Sequence, residues 1–63
     1  MRILLFGSSG QIGSELAPLL ARLGTVAACG RAEVDLERPD AVRDAVRRER
    51  PDVVVNAAAY TAV

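Results

Sequence analysis

Lysine is absent from this 63-residue chain: all eight basic residues are arginine, and eight acidic residues balance them to a formal net charge of zero. That balance argues against a nucleic-acid or membrane-surface role driven by bulk charge, so neither partner is expected. The arginine bias itself carries no functional reading. Cysteine occurs once, at Cys29, so no intrachain disulfide can form and a reducing, cytoplasmic compartment is expected. No apolar run approaches the ~18 residues of a membrane span. The run Ile3–Phe6, directly after Met1 and Arg2, is too short for the core of a signal peptide. Internal linkers, low-complexity tracts and repeats are also missing. What is present is ordinary for a globular chain, with 51% apolar and 25% charged residues, which excludes the disordered class. A chain this short is at most one small domain and buries only about 60% of its unfolded surface.

Hydrophobic patterning divides the chain into five elements. Ile3–Phe6 is a continuous apolar run suited to a strand buried on both faces of a parallel sheet. From about Gln11 to Leu23, the residues Ile12, Leu16, Leu19, Leu20 and Leu23 recur at spacings of three and four, the stripe of an amphipathic helix. Gly24 stands where a helix C-terminal glycine is expected. Pro18 lies well inside that helix, where proline costs roughly 3 kcal/mol, so a kink or an early end is expected. Thr25–Ala28 reads as a second strand that can extend to Cys29. A turn over Gly30–Glu33 leads to Asp35-Leu36 and to a helix from about Pro39, at a first helical position, to Glu49. Its Val42, Ala45 and Val46 face inward, its Arg43, Asp44, Arg47 and Arg48 face water, and Pro51 stops it. Val53–Val55 is a third buried strand.

Strand, helix, strand, helix, strand is an α/β pattern with a parallel sheet and right-handed crossovers. It is a Rossmann-type βαβαβ unit, the N-terminal half of a doubly wound domain. With the strands in the order third, second, first, both helices would fall on one face and leave the other bare. Residues 1–63 are therefore expected to be an incomplete, N-terminal part of such a domain, with the helices for the open face supplied by a missing C-terminal part.

Gly7-Ser8-Ser9-Gly10-Gln11-Ile12-Gly13 forms a G-x-x-G-x-x-G pattern that follows a strand and opens a helix. Gly7 lets the chain turn sharply off the strand. Gly10 lacks a side chain where the backbone must approach a pyrophosphate, and Gly13 allows close packing of the helix on the first strand. Free amides near Gln11 and Ile12, with the helix dipole, attract the anion. A P-loop is excluded, because its Lys-Ser/Thr pair is absent. In dinucleotide-binding folds an acidic residue at the end of the second strand binds the ribose 2′-hydroxyl. Here Cys29-Gly30 offers no carboxylate at that place and Arg31 follows, which tilts the choice to NADPH, with NADH also accommodated. Asp35 can accept a hydrogen bond from the adenine amino group while Leu36 packs on the ring; a plain turn aspartate is the alternative. Ala57, Ala58 and Ala59 end the third strand, where small residues let the backbone approach the cofactor or, alternatively, let a helix pack closely. Asn56 can satisfy buried backbone groups there. Tyr60 is read as lining the site.

Ile3–Gly7, Gly10–Gly13, Val34–Leu36 and the block Arg50–Val63, which contains Pro51-Asp52 and Asn56-Ala57-Ala58-Ala59-Tyr60-Thr61, together resemble the start of the dTDP-4-dehydrorhamnose reductases, members of the extended short-chain dehydrogenase/reductase group. The resemblance covers essentially the whole chain, and its last block is the most specific part. It implies hydride transfer from NADPH or NADH to the 4-keto group of dTDP-4-dehydro-L-rhamnose, giving dTDP-L-rhamnose. It implies pyrophosphate contacts at Gly10, Gln11 and Ile12, adenine contacts at Asp35 and Leu36, and inner cofactor contacts at Ala59, Tyr60 and Thr61. Gly30 departs from the acidic residue often found there, and Pro18 and Arg38 stand where a helix former and a capping aspartate are expected.

The catalytic Tyr-x-x-x-Lys pair and its Ser/Thr partner are expected well beyond residue 63, as is the nucleotide-sugar pocket. No residue of 1–63 is assigned a catalytic or metal-ligating role, and these residues alone should catalyse nothing. The resemblance allows a homodimeric full-length protein. Two further readings stay open at this point. One is a non-catalytic, nucleotide-binding regulatory subunit like that of methionine adenosyltransferase; the other is a sister epimerase or dehydratase acting on another sugar nucleotide.

Overall fold

A computed structural model describes residues 1–30 and 33–60, with Ala59 and Tyr60 described by their backbone alone. Arg31 and Thr61, both assigned to the site from sequence, lie outside the described residues. Five elements follow the expected order: β1 (Arg2–Phe6), α1 (Gln11–Leu20), β2 (Thr25–Cys29), α2 (Pro39–Glu49) and β3 (Val53–Asn56), then a single 3₁₀ turn over Ala57–Tyr60. Among the described residues, no helix is long and apolar enough to cross a membrane.

The three strands are parallel and ordered β2-β1-β3. This corrects the order third, second, first, and with it the expectation of a bare face. Ile3, Leu4, Leu5 and Phe6 are all buried. A strand of four consecutive bulky apolar residues gains most in the middle of a sheet, where both edges and both faces are covered. Register confirms the central place: Leu5 pairs with Ala28 on one side and with Val55 on the other. The crossover from β1 to β2 runs one way along the sheet and the crossover from β2 to β3 runs back. Right-handedness then puts α1 and α2 on opposite faces.

Alternation along β1 divides its side chains between those faces. Leu4 and Phe6 join Cys29, Val34 and Ala45 in one buried cluster, with Ala41, Val42 and Val46 of α2 packed against it. Ile3 and Leu5 point the other way, toward α1. α2 presents the inward residues expected from its spacing, and Arg43, Asp44, Arg47 and Arg48 are exposed. Pro39 opens the helix, and Arg50, in the left-handed region at φ 48°, closes it. Arg2 ties the far end of α2 to β1: its Nε donates to the Glu49 carbonyl at 2.8 Å and its guanidinium meets the Glu49 carboxylate at 3.3 Å.

α1 differs from expectation in its facing. The residues turned to the sheet are Gly13, buried, and Leu16, Ala17 and Leu20, half-buried, whereas Ile12, Leu19 and Leu23 are exposed. The stripe is rotated because Gly13, the one residue of the helix without a side chain, lies against the Gly7–Ser8 backbone just beyond β1. The helix runs through Pro18 and stops at Leu20, short of Leu23, the early end that Pro18 led one to expect. Gly24 is therefore not a helix cap. A Cβ at Gly24 would collide with the Met1 carbonyl, so its bareness serves a close approach between the start of β1 and the start of β2. β3 also departs from expectation: Val53 and Val54 are exposed, because β3 is an edge strand with no described neighbour on its outer side.

Candidate functional site

The carboxyl end of β1 leads into the glycine loop. Gly7 has φ 76°, a left-handed conformation that the sharp turn off the strand requires. A Cβ there would lie 2.6 Å from the Ala58 backbone nitrogen, so the loop after β1 and the turn after β3 are in direct contact. The loop is also pinned to β2, since the amides of Gly7 and Ser8 both donate to the Cys29 carbonyl, at 3.0 and 3.3 Å. Gly13 sits against the Gly7 carbonyl so closely that a Cβ would collide with it. The roles expected of Gly7 and Gly13 are thus both visible in the packing.

Gly10 is the N-cap of α1 and carries no side-chain cap, and no acidic residue stands in the first turn. The first intrahelical bond runs from the Ser14 amide to the Gly10 carbonyl at 2.9 Å. The amides of Gln11, Ile12 and Gly13 have no acceptor among the described residues. Such a helix start presents partial positive charge and free donors together.

An open cleft of about 430 Å³ lies beside that helix start, lined by Gly7, Ser9 and Gly10 of the loop, by Val34, Asp35, Leu36 and Glu37, and by Ala58. It sits at the carboxyl ends of the strands where the chain direction along the sheet reverses about β1. That is the position at which open α/β sheets bind ligands. Val34, buried in the α2-side cluster, anchors the segment that brings Asp35 and Leu36 to the rim. Asp35 also makes the turn: its Oδ1 accepts the Glu37 amide at 2.9 Å, and its carbonyl accepts the Arg38 amide at 3.0 Å. Asn56 Oδ1 accepts the Ala58 amide at 3.1 Å, at an exposed position rather than the buried one expected.

Of the residues assigned from sequence, Gly7, Gly10, Asp35, Leu36 and Ala58 come together around the cleft. Gln11 and Ile12 lie in the adjoining helical turn, and Gly13 packs beneath it. Ala57 is fully buried and does not line the cleft; its small side chain serves packing. The side chains of Ala59 and Tyr60 lie outside the described residues. Sequence reading missed Ser9, Val34 and Glu37 as lining residues; Ser9 was legible as part of the loop.

Glu33 does not line the cleft, but its side chain reaches the end of β2. The amides of Glu33 and Val34 both donate to the Gly30 carbonyl at 3.1 Å, folding the chain back after β2. A Cβ at Gly30 would lie 2.9 Å from Glu33 Oε2 and 3.3 Å from the Ser9 Oγ. The expectation that no carboxylate is available at the end of the second strand is therefore corrected, because a turn returns one from three residues on. Beneath this turn, burial raises the pKa of the Cys29 thiol, with the Glu49 and Glu33 carboxylates raising it further against the opposing pull of Arg48. Cys29 is a protonated packing group in the core cluster. Among the described residues there is no group of acidic, cysteine or histidine side chains able to hold a metal ion.

Comparison with known proteins bears on the same residues. The family model described as "RmlD substrate binding domain" matches residues 1–63. A dTDP-4-dehydrorhamnose reductase of Burkholderia thailandensis is 56% identical over 63 residues, covering 100% of this chain and 21% of the relative. One from Streptomyces griseus is 54% identical over 63 residues, covering 98% of this chain and 21% of the relative. A probable dTDP-4,6-dihydroxy-2-methyloxan-3-one 4-ketoreductase of Streptomyces antibioticus is 50% identical over 64 residues, covering 100% of this chain and 22% of the relative. The chain thus spans about a fifth of the length of the curated relatives it matches.

Proposed function

The chain belongs to the RmlD substrate binding domain family, whose model spans all of it, and from that premise we propose that it is the dinucleotide-binding part of a sugar-nucleotide reductase. In this reading the whole protein reduces the 4-keto group of dTDP-4-dehydro-L-rhamnose to give dTDP-L-rhamnose. The observation that carries the cofactor assignment is the uncapped start of α1, with its unpaired amides, beside a cleft floored by Gly7 and Gly10. An anionic diphosphate fits that donor set, and bare glycine positions let it come close.

When bound, a reduced nicotinamide dinucleotide supplies the hydride. The residues of this chain bind and orient it. Amides of Gln11 and Ile12 hold the pyrophosphate. Leu36 packs on the adenine, and the second carboxylate oxygen of Asp35, without a partner among the described residues, accepts from the adenine amino group. Ala58, in contact with Gly7, forms the wall toward the nicotinamide side. The nucleotide-sugar pocket and the proton donor belong to the remainder of the full-length protein, and a cytoplasmic location is part of the same proposal. Names of relatives support the ketone chemistry, since both name types describe reductases of dTDP-linked compounds.

Gly10→Val in the full-length protein tests the assignment. The β-branched side chain would occupy the space the diphosphate needs. Binding of NADH and NADPH, followed by quenching of protein fluorescence or by calorimetry, should weaken at least ~100-fold with the circular dichroism spectrum retained. Unchanged affinity for both dinucleotides would refute the site.

A further inference from the structure

We infer that Glu33 is the residue that reads the adenosine ribose, and that it favours the unphosphorylated dinucleotide, NADH, over NADPH; this rests on the dinucleotide reading above. At the end of β2 the chain has glycine, where such folds place an acidic side chain against the ribose 2′-hydroxyl. The carboxylate is nonetheless there. Glu33 Oε2 stands 2.9 Å from where a Gly30 Cβ would be, beside the Ser9 side chain of the glycine loop. The two amide bonds to the Gly30 carbonyl close the turn that returns it. Gly30 and Glu33 therefore act as one unit: the missing side chain at position 30 makes room for the carboxylate from position 33.

The position is set relative to the ligand as well as to the protein. The Cys29 carbonyl accepts the Gly7 and Ser8 amides, so the end of β2 and the phosphate loop are held as one piece. A dinucleotide whose pyrophosphate lies at Gly10 has its adenosine ribose between that loop and the strand end. Glu33 is exposed, and among the described residues it has no ion pair or side-chain hydrogen bond that would divert its charge. An ionised carboxylate is an acceptor only. It accepts from a ribose hydroxyl, and it repels a 2′-phosphate, which carries close to two negative charges at neutral pH.

The test is equilibrium binding of NADH and of NADPH to the full-length protein, as wild type, Glu33→Gln and Gly30→Ala. Glu33→Gln keeps the shape and removes the charge, and the side chain is exposed, so the fold is retained. The ratio of the two dissociation constants should move toward NADPH by about tenfold or more, NADH weakening and NADPH tightening. Gly30→Ala should move the ratio the same way by displacing the carboxylate, with Glu33 itself intact. A Glu33→Gln protein that binds both dinucleotides with the wild-type ratio overturns the role of Glu33 and leaves the dinucleotide site standing. A wild-type protein that binds neither dinucleotide overturns the proposed function itself.

Discussion

Gly13 and Gly10 belong to one motif but are bare for different reasons, and the difference is measurable. Gly13 is buried against the Gly7 carbonyl, with backbone on the opposing side that cannot swing away. Gly13→Ala is expected to cost about 3 kcal/mol, the upper end of what overpacking costs, and to appear as a large fall in the unfolding midpoint of the full-length protein. Gly10 faces the cleft, so its replacement should remove binding and spare the fold. A Gly13→Ala protein as stable as wild type would show that α1 can pull away from β1. At this scale the loop was fully legible, because a glycine pattern between a strand and a helix has few other physical solutions. Glu33 was not legible: its carboxylate reaches the strand end only through a turn closed at Gly30, and linear spacing does not show where a turn returns a side chain. Ala57 illustrates the same gap, since nothing in a run of three alanines tells which is buried in the core and which lines the cleft.

Among the elements, α2 is the most predictable and α1 the least. α2 has its proline at the first helical position, an acid, Asp40, in the first turn and Arg47 and Arg48 in the last, all favourable to the helix dipole. Its apolar positions are few and small, so only one face can be inside. Its weak point is the C-cap, where Arg50 adopts φ 48°. Left-handed backbone costs a non-glycine residue roughly 1 kcal/mol, so Arg50→Gly should raise stability by up to about that amount, read as a higher urea midpoint with an unchanged slope. A lower midpoint would mean that the Arg50 side chain contributes more than its backbone costs. α1 is harder to read because leucine lies on more than one side of it. Five leucine and isoleucine positions satisfy the helical spacing, but the close approach of Gly13 to the Gly7–Ser8 backbone after β1 rotates the buried stripe onto Leu16, Ala17 and Leu20. Hydrophobicity alone ranks Leu19 above Ala17; contact with the strand reverses the order.

For the molecule as a whole, surface is the informative quantity. The chain exposes 4455 Å², against about 3,900 Å² for a compact monomer of 6.7 kDa. The excess includes Val54, 48% exposed on the edge strand, and Leu23, 63% exposed. Residues 1–63 produced alone should therefore be marginal, with a broad, low-urea unfolding transition and binding of a hydrophobic dye such as ANS. A sharp, cooperative transition without dye binding would show that the apolar residues packed on the two faces of β1 suffice. Amino-acid order by itself determined the element types, the parallel α/β class, the family and the glycine loop between β1 and α1, because these follow from local periodicity, glycine placement and short-range spacing. Strand order, the facing of α1 and the arrival of the Glu33 carboxylate beside Ser9 were decided only in three dimensions. Each depends on which surface is in contact with which, and such contacts are set by burying β1 on both edges and both faces at once rather than by any residue's neighbours in the chain.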